Sequence, residues 1–352
     1  MDINHLYDLA YQFKRSRIWN TVYEEDIFAI RLGPHKFGYC CIMGRNGEHM
    51  ALAVYPDAPA FSSLRKAVVN TSSRLSDLLI HDCIQCSIEQ RNQLSPSELD
   101  EVLEYCNNAG ESKKAPFPQF SRHIPYRMPW MLEKKGEMSI LEKALEVVLA
   151  LNAFLKDHSL RDAGLHPIQL DIDSEYYGDA HERVSHEPSV TVPVFSVQDG
   201  KLHVDTRIGL PPYEERSVKA PKPLSDEDIH DFRLMFNKED GLILECEVSR
   251  MQTPIDGRPP FLPAVLFSVE KESGYVLYPV IGKKADYDSG RMLSEFVTVL
   301  MASEIKPAEI HVRTRETWTL FEDFCARAAV KLVYSPLLPA LDEAVDSFNE
   351  LF

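Results

Sequence analysis

The sequence lacks long apolar runs, and this excludes membrane-spanning proteins of the helical type. No stretch approaches the ~18 consecutive apolar residues that a transmembrane helix needs. The N-terminal stretch MDINHLYDLAYQFKRSRIW has an acid at its second position and no apolar segment of the kind that secretory signals contain. We therefore expect a cytoplasmic protein that has no membrane partner.

Positive charge is also scarce. The chain has 54 acidic and 38 basic residues among its 352, which gives a net charge of −16. No cluster of five or more basic residues interrupts this excess of acid. Such a chain repels nucleic-acid phosphates on average, so the composition disfavours nucleic acid as a partner.

Motifs for cofactors and metals are missing or incomplete. The pattern CIQC at Cys83 and Cys86 has no second CxxC that could complete a structural zinc site. His181 and His186 are five residues apart, whereas a zinc-protease helix needs four. The acidic stretch 171–179 has tyrosine where a calcium loop needs glycine. With no Walker A or GxGxxG pattern either, the sequence predicts no cofactor.

The order of patterns along the chain predicts an α+β protein with two domains of mixed or mostly antiparallel sheets. We expect an N-terminal domain over residues 1–160 and a C-terminal domain over 225–352. Prolines are frequent between them, and residues 161–224 are predicted to be a linker that contains one β-hairpin with Asp199-Gly200 at its turn.

Two helices have well-defined ends in the sequence. The stretch SPSELDEVLEYCNNAG has Ser95 as a cap, Pro96 at the first helical position, Glu98 at the capping-box position and Gly110 past the end. In the C-terminal domain, Ser225 precedes a run of acids that suits the first turn of a helix.

Two stretches resemble a bacterial two-domain protein family of unknown function. They are GYCCIMGRNGEHMALAVY and FPQFSRHIPYRMPWML, and LPALDEA at residues 338–344 adds to the likeness. The resemblance covers most of the chain except the middle ribbon. It implies no activity.

The last third is similar to a ribonuclease H or integrase core in its order of elements, which is βββαβαβα. In such a core, acids from two strands and a helix hold two divalent metal ions for phosphoryl transfer. With Phe261 taken as the start of the first strand, the resemblance places Glu270 on that strand and Asp342 and Glu343 on the last helix. Arg313 falls where the second acid should be, and a cation there repels the metals.

Candidate binding residues come from two places. The stretch RHIPYRMPW offers aromatic and arginine side chains of the kind that anchor partners, and the same side chains could instead fill a gap between elements. Two arginines near the start of a C-terminal helix offer surface contacts. The binding candidates are therefore Arg122, His123, Tyr126, Arg127, Trp130, Arg313 and Arg315.

These patterns favour a non-catalytic binding or accessory protein whose partner is a protein or a small ligand. The alternative is a divergent metal-dependent nuclease or other phosphoryl-transfer enzyme. That enzyme would use Glu270, Asp342 and Glu343 with a divalent metal.

Overall fold

The computed structural model describes residues 2–69, 75–168, 190–213, 220–235, 241–282 and 288–350. The histidine and acidic motifs at 181–186 and 171–179 lie outside these ranges. The chain divides into two compact units: one comprises residues 1–73 and 77–215, the other 74–76 and 216–352. None of the described helices is both long enough and apolar enough to cross a bilayer.

The first unit begins with a helix and continues with alternating strands and helices. Its elements are α1 Ile3–Ser16, β1 Phe28–Gly33, β2 Lys36–Met43, β3 Ala51–Tyr55, α2 Ala58–Val69, α3 Leu75–Leu78 (at the boundary of the units), β4 Cys83–Glu89, α4 Pro96–Ala109, β5 Phe117–His123, β6 Trp130–Met131, α5 Lys135–Phe154, β7 Thr191–Gln198 and β8 Lys201–Gly209. Short 3-10 turns lie at Ile18–Asn20 and Arg91–Gln93.

The strands of this unit form a sheet in the order β6-β5-β4-β3-β2-β1-β7-β8. All neighbours are antiparallel except β1 and β7, which are parallel. Alternate residues of each strand face opposite sides, so each face buries its own core. One core packs against α1, α4 and α5, and the other packs against α2.

The β7–β8 hairpin turns at Asp199-Gly200 as the sequence predicts, with φ of 49° and 73°. It is not part of a linker, however. Ile30 of β1 pairs in parallel with Phe195 of β7, which makes the hairpin the last two strands of the first sheet. Val192 and Val194 are fully buried in the core beside α2, and this burial outweighs the proline-rich surroundings.

Strand β5 forms in a stretch of the sequence that is rich in proline. Its proline, Pro118, lies in a part of the strand whose outer edge has no neighbour, because β6 pairs only with Ser121 and Arg122. A missing N–H is tolerated at such an edge. The helix α4 has the predicted ends: Ser95 and Glu98 form a reciprocal capping box, and Gly110 ends the helix.

The second unit contains α6 Asp226–Met235, β9 Ile243–Arg250, β10 Ala264–Glu270, β11 Val280–Ile281, α7 Ser289–Ala302, β12 Glu309–Val312, α8 Arg315–Ala328, β13 Lys331–Tyr334 and α9 Pro339–Glu350. Ser225 caps α6 as predicted, accepting a hydrogen bond from the backbone N–H of Asp228 at 3.0 Å. Strand β11 has two residues, and Pro279, which cannot donate to a ladder, lies immediately before it.

The strand order of this unit is β11-β10-β9-β12-β13. The pairs β11–β10 and β10–β9 are antiparallel, whereas β12 is parallel to both β9 and β13. The order of elements from β9 to α9 is the βββαβαβα that the sequence predicts. The first strand of this order, which lies in the middle of the sheet, is β9 and not the strand after Phe261. The fold as a whole is therefore α+β with two mixed sheets.

Candidate functional site

Strand β9 carries two acids on one face of the second sheet. Leu244, Cys246 and Val248 point into the core beneath α7 and α8. Glu245 and Glu247 alternate with them and therefore point to the opposite face, where α9 packs. The resemblance to a ribonuclease H core implies an acid on the first strand and another on the last helix.

Arg313 lies between the acids of this face. Glu309 and His311 of β12 pair with Ile243 and Glu245 of β9, so two residues further on Arg313 comes level with Glu247. Its Nε donates to Glu247 Oε1 at 2.9 Å and its Nη2 to Oε2 at 2.5 Å. Its Nη1 lies 2.7 Å from Asp342 Oδ1 of α9. We call Glu247, Arg313 and Asp342 the arginine cluster.

The cluster is electrostatically satisfied. The paired hydrogen bonds that Arg313 donates to Glu247 raise the pKa of Arg313 above its already high value, in spite of its partial burial. A bidentate guanidinium–carboxylate pair fixes both partners in orientation as well as in charge. The guanidinium thus occupies the side of Glu247 on which a metal ion would have to bind.

The start of α8 fixes the position of Arg313. Thr314 caps this helix, and the hydroxyl of Thr317 accepts a hydrogen bond from the backbone N–H of Val248 at 3.0 Å. Arg250 and Glu316 form an ion pair at 3.1 Å. Both contacts tie the first turn of α8 to the carboxyl end of β9, so Arg313 has little freedom to leave.

A second acid of β9 accepts a hydrogen bond from the backbone of α9. Glu245 is fully buried, and its Oε2 accepts a hydrogen bond from the backbone N–H of Leu341 at 3.0 Å. Its Oε1 has no hydrogen-bond partner among the described residues, and neither does Nδ1 of His311, its neighbour on β12. Buried polar atoms of this kind commonly bind an internal water.

The acids proposed for the alternative enzyme do not come together. Glu270 alternates with Phe267 and Val269, which face α9, so its side chain points to the other side of the sheet from Asp342. It accepts hydrogen bonds from the backbone N–H groups of Glu272 and Ser273, which lower its pKa. Glu270 therefore stabilises a turn. The third proposed acid, Glu343, is exposed on α9.

The binding candidate Arg122 lies inside the first unit. It is 7% exposed, its Nη2 lies 2.7 Å from Asp82 and its Nε 3.1 Å from Glu137. It also donates to the backbone oxygens of Cys83 and His123. These contacts give it a structural part in joining β4, β5 and α5.

The other candidates of this stretch are half-buried. His123 lies 2.9 Å from the hydroxyl of Ser121, and burial lowers its pKa to about 4. Tyr126 has a left-handed backbone with φ of 64°, Arg127 follows it in the same turn, and Trp130 lies in the edge strand β6. The remaining binding candidate, Arg315 of the second unit, is exposed at the start of α8. Whether these side chains bind a partner stays a prediction.

The sequence analysis missed Glu245, Glu247 and His311. The signal for the two acids was present in LILECEVSR, where they alternate with apolar residues and so share one face of a strand. The two acids were not predicted as site residues because the first strand was taken to begin at Phe261. His311 had no comparable signal.

Comparison with known proteins gives similarity to two families of unknown function and to solved structures. A family model described as "Domain of unknown function (DUF7309)" matches residues 4–164. Another, described as "Domain of unknown function (DUF6930)", matches residues 232–349. No curated protein matches the chain.

One of the solved structures to which this chain is similar is the HTLV-2 integrase catalytic core domain in complex with magnesium, in a dimeric form. It is 19% identical and covers 31% of this chain and 67% of its own, with a TM-score of 0.23. This chain is similar to it at a level that carries no argument about function. Residues 4–164 and 232–349 are therefore each similar to a domain whose function is unknown.

Proposed function

We propose that this protein is a non-catalytic binding or accessory protein of the cytoplasm, whose second unit uses a ribonuclease H-like scaffold without its metals. The observation that supports this most directly is the arginine cluster. Arg313 forms ion pairs with the acid of the central strand and with an acid of the last helix. A fixed positive charge thus takes the place of the metal ions.

Metal binding at this place would have to displace Arg313. A divalent cation would need Glu247 and Asp342 as ligands, and both already bind the guanidinium. Displacing it would leave a cation with no anionic partner beside the incoming metal. Two positive charges about 4 Å apart repel each other by several kcal/mol at the partial burial of such a site.

The partner in this proposal is a protein or a small ligand. The net charge of −16 works against nucleic acid. In the first unit, Tyr126, Arg127 and Trp130 are the side chains that combine partial exposure with the chemistry of binding hot spots.

The alternative, a divergent phosphoryl-transfer enzyme, keeps one observation in its favour. An acid of the central strand, Glu247, lies close to an acid of the last helix, Asp342, because both bind Arg313. The enzyme would use these two acids in place of the set that includes Glu270.

A melting experiment with Mn²⁺ and Mg²⁺ on the full chain separates the two functions. Wild type and Glu247→Gln are melted at rising metal concentration, and both are incubated with single- and double-stranded DNA and RNA. The proposal predicts that any metal-dependent rise in Tm is the same in wild type and Glu247→Gln, and that neither protein cleaves nucleic acid. A rise in Tm that depends on Glu247, or metal-dependent cleavage lost in Glu247→Gln, would establish the enzyme instead.

A further inference from the structure

Three metal-ligating side chains meet on the surface of the first unit, between α1 and α5. His5, Glu142 and Glu146 each offer one ligand atom, and these atoms lie within 4.8 Å of one another. Among the described residues, no other group of three or more His, Cys, Asp or Glu side chains meets this condition.

The two acids repel each other where they stand. Glu142 and Glu146 are four residues apart on α5, so they share a face, and like charges at this spacing destabilise a helix by about 0.2–0.5 kcal/mol. Within the described ranges, no lysine or arginine forms an ion pair with either. Among the described residues, the ion-pair partner of these acids is His5, which approaches Glu142 from α1.

The separation of His5 and Glu142 is long for a hydrogen bond. His5 Nε2 lies 3.5 Å from Glu142 Oε1, whereas His203–Asp205 and His311–Glu309 are 2.8 Å apart. Two ligands of a tetrahedral zinc ion, with bonds of about 2.0–2.1 Å, are about 3.4 Å apart. His49 and Glu89 are also 3.5 Å apart, but in the described structure no third ligand joins that pair.

The helices that carry the three side chains are held rigidly. Leu6 and Leu9 of α1 and Leu141 and Leu145 of α5 are buried in the same core. The backbone positions of His5 and the two glutamates are therefore fixed relative to one another, and rotation of exposed side chains is enough to close the remaining distance. Such preorganisation is what favours metal binding at a surface.

We infer that His5, Glu142 and Glu146 form a binding site for a divalent transition-metal ion, of which Zn²⁺ is the best fit. One imidazole nitrogen and two carboxylate oxygens match the donors that zinc accepts, and the fourth position faces solvent. The imidazole disfavours Mg²⁺ and Ca²⁺, which prefer oxygen ligands. This site is independent of the proposed function.

Calorimetric titration of the full chain with Zn²⁺ tests the inference. Wild type should bind one ion per chain, and His5→Ala and Glu146→Gln should each weaken binding at least tenfold. His203→Ala is the matched control, since it removes another exposed histidine that has a carboxylate partner, and it should bind as wild type does. Circular dichroism checks that each variant is folded.

Titration with Co²⁺ in place of Zn²⁺ identifies the donors from the visible spectrum. The inference requires d–d bands of nitrogen and oxygen ligation without thiolate charge-transfer absorption. Absence of saturable binding in wild type, equal binding by His5→Ala, or a thiolate band would each overturn it. A metal effect at this site survives Glu247→Gln and disappears in Glu146→Gln, so it cannot be confused with metal binding at the arginine cluster.

Discussion

Replacing Arg313 with glutamine should destabilise the second unit by more than a surface substitution can. The change leaves Glu247 with 13% of its side chain exposed and without its bidentate partner. Asp342 also loses its cation, but it is 48% exposed and water can solvate it. The burial of Glu247 therefore decides the size of the effect.

The magnitude follows from these two burials. Breaking a buried ion pair by removing one partner costs about 3–5 kcal/mol, and an exposed pair contributes about 0.2–1 kcal/mol. Since Arg313 is itself 29% exposed, solvent reduces the first figure, and we expect a total of about 2–3 kcal/mol. Asp342→Asn alone should cost about 0.5 kcal/mol.

Hydrogen exchange measured by mass spectrometry is the suitable assay, because a global melt of a chain with two units need not be two-state. Amides of β9 and β12 should exchange faster in Arg313→Gln than in wild type, by a factor that corresponds to the predicted free energy. Arg315→Gln, which removes an exposed arginine two residues away, is the control. Equal exchange in the two variants would refute the reasoning.

Two further predictions concern the first unit, and a third concerns the cysteines of both units. Burial lowers the pKa of His123 to about 4, so the unfolded chain binds a proton first as the pH falls below about 6.5. The free energy of unfolding should therefore drop between pH 6.5 and pH 4 by on the order of 1–3 kcal/mol. The urea midpoint of His123→Gln should depend less on pH in this window than that of wild type. Ser95→Ala removes the cap of α4 and should lower the free energy of unfolding by about 1 kcal/mol. The control Ser97→Ala changes an exposed serine and should alter it by no more than about 0.5 kcal/mol. Urea unfolding curves measure both values. All seven cysteines are buried, and burial raises the pKa of Cys83 to about 12. A thiol reagent such as DTNB should therefore label none of them before the protein unfolds. Rapid labelling of the folded protein would contradict their burial.

Local signals in the sequence were enough to predict elements whose ends are set by a few neighbouring residues. Helix α4 is one case, since Ser95, Glu98 and Gly110 each satisfy a terminal backbone group within one turn of the helix. The turn at Asp199-Gly200 is another, because both residues adopt a backbone conformation that few residue types allow.

Pairing between distant segments could not be predicted in this way. The strand that receives the β7–β8 hairpin is β1, more than 150 residues earlier in the chain, and no local pattern in either segment specifies it. Proline content then suggested a linker. The burial that overrides this suggestion, that of Val192 and Val194, exists only once the sheet has formed.

The candidate site was predicted in part. The charge of Arg313 at the second-acid position was recognised from the order of elements alone. Its partners were not, because the central strand was assigned one strand too late and Glu247 was left out. The face on which a side chain points depends on that assignment, and Glu270 was placed among the acids although it lies on the other side of the sheet.

A crystal of the full chain soaked in Mn²⁺ tests whether Arg313 keeps metal ions away from Glu247 and Asp342. The anomalous difference map locates the metal without assumptions about activity. We expect the Arg313 guanidinium to bridge Glu247 and Asp342 and no anomalous peak to lie between these carboxylates. A peak coordinated by Glu247 and Asp342, with Arg313 displaced, would contradict this expectation.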